Sequence, residues 1–202
     1  MRYLGIDPIL GIVDNTNIPD KSSCAVIVLN PSLDRFIKVF TKFEVVTAFE
    51  YLADAILKYA IPVFVASKKY DNAENFSDKR KSDQENQNFK SRYDDEFITR
   101  YTKILSTLPV QRYEYSGYDA FSAGNLSSAI SESRKDNILI CGTWLETDII
   151  GSVFGSFKLS VKPIVVSDAC SSESERIFYE SLDVLSRVTR IIDTRDLLKE
   201  WG

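Results

Sequence analysis

The sequence predicts a single α/β domain built on a six-stranded, parallel, doubly wound (Rossmann-like) sheet with helices on both faces. Short apolar runs rich in β-branched residues alternate with longer amphipathic segments, and no hairpin signal joins one run to the next. The chain has 202 residues, 44% of them hydrophobic, which is enough to bury one substantial core. We therefore predict one domain over residues 24–202, preceded by an N-terminal arm over residues 1–23.

The first elements follow directly from composition and spacing. Residues 1–23 carry Pro, Gly, Asn and Asp between short apolar pieces, which favours an arm that packs on a neighbour. Cys24–Leu29 is typical of a strand buried on both faces, and Asn30-Pro31 ends it. Apolar residues at helical spacing over 43–59 lead to a second buried strand at 61–66, so this pair predicts a right-handed parallel crossover.

The stretch 67–92 is polar and has few aliphatic residues, which predicts a solvated loop or lid. Its charges nearly cancel, so a surface connection is favoured over a nucleic-acid patch. After it, the alternation of helix and strand resumes. Predicted helices cover 94–105, 124–134, about 147–157, 173–186 and 194–201, and predicted strands cover 110–115, 137–141, 163–167 and 188–192.

Charge and composition exclude several classes of function. The balance of 25 basic against 29 acidic residues argues against nucleic-acid and anionic-membrane partners. No run approaches the roughly 18 apolar residues that span a bilayer, and the first residues make a poor signal peptide, so we expect a cytoplasmic protein. The absence of histidine excludes Ser-His-Asp and Cys-His mechanisms, and we predict no metal and no cofactor. The three cysteines are predicted to be buried free thiols.

The segment 137–171, NILICGTWLETDIIGSVFGSFKLSVKPIVVSDACS, indicates a strand, a glycine turn, a helix and another strand. Asp148 stands six residues after Gly142 and is expected in the first helical turn, at the carboxyl edge of the sheet where ligands bind in such folds. Helix capping beside Thr147 explains an acid there most simply. A base role or a cation contact, for example with Mg²⁺ and the carboxylates of Asp34 and Glu114, is the alternative.

This order of blocks resembles the isochorismatase-like cysteine hydrolases, the superfamily of isochorismatases, nicotinamidases and carbamoyl-sarcosine amidases. Further matching blocks are YSGYDAFSAGNL and Ser167-Asp168-Ala169, and the resemblance covers about residues 24–200. It implies an isochorismatase-like fold, self-association, and a catalytic triad of aspartate, lysine and cysteine. At those three places this chain has Asn30, Tyr115 and Asp148.

The three substitutions change the chemistry that the resemblance implies. Asparagine does not accept a proton near neutral pH, tyrosine carries no positive charge, and a carboxylate is a weak nucleophile towards amides. We therefore expect cysteine amidase and isochorismatase activity to be absent. If the three side chains converge, they form a polar pocket, and further pocket candidates at the same edge are Asp34, Glu114, Tyr118, Phe121, Thr143 and Trp144.

Three hypotheses follow. The first is a catalytically degenerate isochorismatase-fold protein that binds a small molecule or acts as an assembly partner, as a homo-oligomer or with another protein. The second is a small-molecule hydrolase or lyase whose site is rebuilt around Asp148. The third is a structural or regulatory subunit that uses the arm and the 67–92 loop as interfaces. Fold alone does not separate them.

Overall fold

The computed structural model describes residues 18–69, 92–107 and 111–202. It confirms the predicted α/β class, because six parallel strands form one sheet in the order β3-β2-β1-β4-β5-β6. The strands are β1 Cys24–Leu29, β2 Val63–Lys68, β3 Gln111–Tyr115, β4 Asn137–Thr143, β5 Lys162–Ser171 and β6 Arg190–Ile192.

Helices connect the strands. They are α1 Leu33–Phe36, α2 Lys42–Tyr59, α3 Arg92–Thr107, α4 Gly124–Glu132, α5 Ile150–Ser156, α6 Glu175–Ser186 and α7 Thr194–Trp201. A π-helical turn, Leu145–Ile149, precedes α5, and short 3₁₀ turns lie at Lys21–Ser23 and Ala120–Ser122. Within the described ranges, no helix has both the length and the hydropathy needed to cross a bilayer.

The centre of the sheet is strand β1, whose six residues are all buried. It pairs with β2 on one side and with β4 on the other, and the chain reverses its direction of winding between β1 and β4. In doubly wound sheets the loops diverge at that point and leave room for a site at the carboxyl edge. Asn30 follows β1 there, and Thr143 ends β4.

Several predicted boundaries shift. Strand β2 starts at Val63 rather than 61, and strand β6 starts at Arg190 rather than 188. Strands β4 and β5 run two and four residues past the predicted ends at 141 and 167, with an irregular register between Ile140 and Gly142. The helix expected from about 147 begins earlier, as the π-helical turn. Residues 1–17 of the predicted arm, residues 70–91 of the predicted loop and Val110 lie outside the described residues.

The start of the described chain is fixed to the last helix. The buried Trp201 indole donates a hydrogen bond to the Pro19 carbonyl over 2.9 Å, and the Lys21 ammonium donates to the Trp201 carbonyl over 2.6 Å. The Tyr59 hydroxyl at the end of α2 donates to the same carbonyl. These contacts join residues 18–23 to α2 and α7.

Candidate functional site

Asn30 ties together the ends of three strands. It has a φ of 48°, in the left-handed region that asparagine enters more easily than most residues. Its side-chain Nδ2 donates to the Thr143 carbonyl over 2.8 Å, and its Oδ1 accepts from the Lys68 backbone N–H over 2.7 Å. The Thr143 hydroxyl donates back to the Asn30 carbonyl. Asn30 therefore holds the carboxyl ends of β1, β2 and β4 in place.

Tyr115, the last residue of β3, carries the hydrogen-bond chain onward. Its hydroxyl accepts from Asn30 Nδ2 over 2.8 Å and donates to Asp148 Oδ1 over 2.7 Å. Burial raises the pKa of the Tyr115 phenol well above its ordinary value, and the charge and hydrogen bond of Asp148 raise it further. The phenol therefore stays protonated and acts as a donor.

Asp148 receives three donors and does not cap a helix. Its side chain accepts from Tyr115, from Arg35 Nη1 over 3.3 Å and from the Thr147 hydroxyl over 3.2 Å. The predicted capping role is wrong, because Trp144 stands at the N-cap position and the Asp148 carboxylate, only 1% exposed, faces buried side chains. A carboxylate removed from water requires a cation and hydrogen-bond donors, and this need outweighs the local preference for capping.

Arg35 is the site residue that the sequence prediction missed. It lies on α1, a four-residue helix that was not predicted, and it is 5% exposed. Its guanidinium pairs with Asp148, and its Cζ lies 5.8 Å from the centre of the Trp144 ring. The available signal was the run Leu33-Asp34-Arg35-Phe36 directly after the strand end, in which an arginine next to a buried phenylalanine lies close to the predicted site.

Two predicted carboxylates do not join this network. Asp34 is exposed on α1. Glu114 is exposed on β3, next to Tyr115, and because successive side chains of a strand point to opposite faces of the sheet, it lies on the face opposite to that of Tyr115. In the part of the chain that the structure describes, no three His, Cys, Asp or Glu side chains gather as a metal site. The described residues thus offer no support for the alternative of a Mg²⁺ site shared by Asp34, Glu114 and Asp148.

The other pocket candidates differ in their placement. Thr143 and Trp144 lie at the network and are joined by a cis peptide bond. Phe121 is buried in the hydrophobic core. Tyr118 is half-exposed, and the Lys68 ammonium lies 3.7 Å from the centre of its ring. A groove of about 620 Å³ lies instead at the opposite edge, by Pro62 and the start of β3.

A second carboxyl group lies in the same turn as Asp148. Burial raises the pKa of Glu146, against a hydrogen bond of 2.7 Å from the Ser172 hydroxyl that lowers it. Glu146 and Ser172 thus form a hydrogen-bonded pair beside the network. Sequence reasoning did not single out either residue.

The cysteines are free and buried, as predicted. Burial raises the pKa of Cys24 to about 11 and raises the pKa of Cys141 and Cys170 as well. Cys24 opens β1, at the opposite edge of the sheet from Asp148. Because the thiolate is the reactive form of cysteine, none of the three has the character of a nucleophile.

The hydrogen bonds of the network leave no buried polar side-chain atom of the described residues without a partner. In residues 18–69, 92–107 and 111–202, every fully buried side-chain nitrogen or oxygen has a partner. Asn30 donates to Tyr115, Tyr115 donates to Asp148, and Asp148 is neutralised by Arg35. Such an arrangement stabilises the sheet edge, and it holds an amide, a neutral phenol and a paired carboxylate rather than an activated base.

Comparison with known proteins is consistent with this fold. The isochorismatase domain family matches residues 24–196. Among solved structures, an isochorismatase from Pseudomonas putida KT2440 superposes with a TM-score of 0.69 at 15% identity, covering 90% of this chain and 93% of that one. A pyrazinamidase/nicotinamidase from Streptococcus mutans UA159 gives 0.61 at 19% identity, with 84% and 100% covered.

The YcaC gene product of Escherichia coli, described as an octameric hydrolase of unknown specificity, gives a TM-score of 0.52 at 11% identity, with 89% and 79% covered. Among curated protein sequences, no significant match is found. At these identities the structural likenesses show the fold, whereas the family match covers most of the sequence. The chain belongs to the isochorismatase domain family.

Proposed function

We propose that this protein is a catalytically degenerate isochorismatase-domain protein that works as an assembly partner rather than as a hydrolase. The observation that carries the proposal is the buried network, in which Asn30, Tyr115 and Asp148 bond to one another and Arg35 neutralises the acid. Within it, the three side chains predicted at the triad positions satisfy one another. Their exposed fractions of 2%, 3% and 1% leave almost no surface for a substrate.

The chemistry of the residues supports the same conclusion. Amide hydrolysis through a covalent intermediate needs a nucleophile, a group that moves protons and a positive charge that activates the nucleophile. Here the amide does not titrate, and the raised pKa of Tyr115 keeps the phenol neutral. The positive charge of Arg35 is paired with the Asp148 carboxylate.

The alternative, a hydrolase or lyase rebuilt around Asp148, lacks, among the described residues, a second acid or base that could act together with Asp148. The two carboxylates considered with it, Asp34 and Glu114, are exposed, whereas the hydrogen-bond donors to Asp148 are Tyr115, Arg35 and Thr147. Glu146, the nearest acid along the chain, accepts from Ser172. No specific observation therefore favours the rebuilt enzyme.

The assembly role includes self-association, which the octameric state named for the Escherichia coli structural neighbour supports by analogy. Tyr118, Phe154 and Phe157 are 52%, 47% and 52% exposed on and beside α5. An ion pair of 3.4 Å between Lys158 and Asp119 lies next to them. A patch with both charge signs suits a second copy of the same chain, because a two-fold axis can place opposite charges together. The partner, on this proposal, is a second cytoplasmic copy of the chain.

Light scattering tests this surface. Phe154→Ser is expected to lower the measured mass, whereas Leu57→Ser, which replaces an equally exposed side chain on α2, should leave it unchanged. A monomeric wild-type chain, or equal effects of the two variants, would contradict self-association through α5.

Turnover tests the loss of catalysis. Purified protein is incubated with nicotinamide, pyrazinamide, carbamoyl-sarcosine and isochorismate, and products are followed by chromatography. The expected result is no product above the buffer control. A rate that persists through purification, and that the folded double variant R35M/D148N lacks, would overturn the proposal.

A further inference from the structure

The Asp148 carboxylate has the surroundings of a site for a planar cation. It is 1% exposed, and its two oxygens accept from Tyr115, from Thr147 and from the Arg35 guanidinium. The Arg35 Cζ lies 5.8 Å from the centre of the Trp144 ring, within the range of a cation–π interaction. A carboxylate beside an aromatic face is a combination that recognises a guanidinium group.

We propose that Arg35 is a built-in ligand, whose guanidinium fills a guanidinium-binding site formed by Asp148, Thr147 and Trp144 at the switch point of the sheet. The chemical class that this site takes is therefore a guanidinium-bearing group, supplied in the native chain by α1. The inference rests on the proposed function, because it explains why the position is closed to substrates.

The anchoring of α1 makes Arg35 an effective internal ligand. The neighbouring Phe36 is fully buried and stacks on Tyr101, with ring centres 4.3 Å apart. The Tyr101 hydroxyl donates to the Pro31 carbonyl over 3.2 Å, just before the helix. With both sides of α1 fixed in this way, the arginine loses little further freedom when it enters the site, and a free ligand competes poorly with it.

Removal of the arginine side chain should convert the internal site into a binding site for a free ion. Arg35→Ala leaves the Asp148 carboxylate buried without its guanidinium, and methylguanidinium has the size and charge to replace it. The experiment measures the melting temperature of Arg35→Ala against methylguanidinium concentration. A saturable rise is expected, of about 4 °C at ten times the Kd for a chain of this length.

Two matched variants separate specific binding from a general salt effect. Arg35→Ala combined with Asp148→Asn lacks the carboxylate and should show no rise. Arg100→Ala removes an arginine from a more exposed pair with Glu50 and should show none either. The wild-type chain, whose site is filled, should also show none.

If Arg35→Ala does not fold alone, its refolding from urea with and without methylguanidinium is followed by circular dichroism. Recovery of the native spectrum only with the ion supports the proposal. The proposal is overturned if there is no rise and no recovery, or if the double variant responds equally. Turnover by the wild-type chain would overturn the proposed function separately, whatever the result of this titration.

Discussion

The ion pair between Arg35 and Asp148 should be coupled more strongly than a shorter ion pair at the surface. Its N–O distance is 3.3 Å, and the two side chains are 6% and 2% exposed. At an effective dielectric constant of about 20, Coulomb's law gives an attraction of about 5 kcal/mol at this distance. Loss of one partner leaves a buried charge alone, which costs about 3–5 kcal/mol.

Arg100 and Glu50 provide the comparison within the same chain. Their N–O distance is only 2.6 Å, but the side chains are 29% and 37% exposed. Solvent screening and side-chain entropy reduce such pairs to about 0–1 kcal/mol. Burial, rather than distance, should therefore decide which pair contributes more to the free energy of unfolding.

The assay is a pair of double-mutant cycles measured by urea unfolding. One cycle uses Arg35→Met, Asp148→Asn and their combination, and the other uses Arg100→Met, Glu50→Gln and theirs. Asp148→Asn should lower the free energy of unfolding by about 3–5 kcal/mol, and the double variant R35M/D148N should recover much of that loss. A coupling energy in the buried cycle no larger than that in the surface cycle would contradict the stronger Arg35–Asp148 pair.

Three further predictions concern other parts of the fold. Burial raises the pKa of Asp168 to about 6, against hydrogen bonds from Thr194 that lower it, so the folded state holds this proton more tightly than the unfolded chain, with its pKa near 3.8. The protonated Asp168 therefore contributes its full stability below about pH 4, and about 3 kcal/mol of this contribution is lost as the pH rises through about 6. The free energy of unfolding in urea, measured at several pH values, should vary less with pH for Asp168→Asn than for the wild type. Identical pH profiles would be inconsistent with the burial effect. Gly151→Ala should lower the free energy of unfolding by about 1–3 kcal/mol, because a Cβ there would lie 2.3 Å from the Tyr118 carbonyl oxygen. Gly124→Ala places its Cβ in open space and should be neutral or slightly stabilising in the same assay. Equal effects of the two variants would argue against the close contact at Gly151. Trp201→Ala should lower the free energy of unfolding by about 3–5 kcal/mol, because the indole is 3% exposed and donates a hydrogen bond to the Pro19 carbonyl. A calorimetric loss below about 1 kcal/mol would contradict its role in joining residues 18–23 to α7.

The sheet could be predicted from the sequence because its strands are buried on both faces. Continuous apolar runs such as Cys24–Leu29 have one plausible place in an α/β protein, and the amphipathic segments between them set the parallel order. The strand ends could not be predicted as closely. Residues 142–143 and 168–171 extend β4 and β5 through pairing with each other, which depends on a neighbouring strand rather than on local composition.

The site could be predicted only in part. The convergence of Asn30, Tyr115 and Asp148 follows from the fold, because all three lie at or beyond the carboxyl ends of parallel strands. Arg35 could not be derived in this way, since it is 113 residues from Asp148 along the chain and lies on a helix of four residues with no periodicity to detect. The capping prediction for Asp148 failed for the same reason, because a local rule does not include a distant cation.

The loss of catalysis is tested most directly by ammonia release from nicotinamide, measured for concentrated wild-type protein, for the R35M/D148N variant and for Asp34→Ala as a surface control. All three samples should match the buffer, because the buried network of Asn30, Tyr115, Asp148 and Arg35 contains no activated nucleophile. Ammonia released by the wild type and by Asp34→Ala, but not by the folded double variant, would contradict the loss of catalysis.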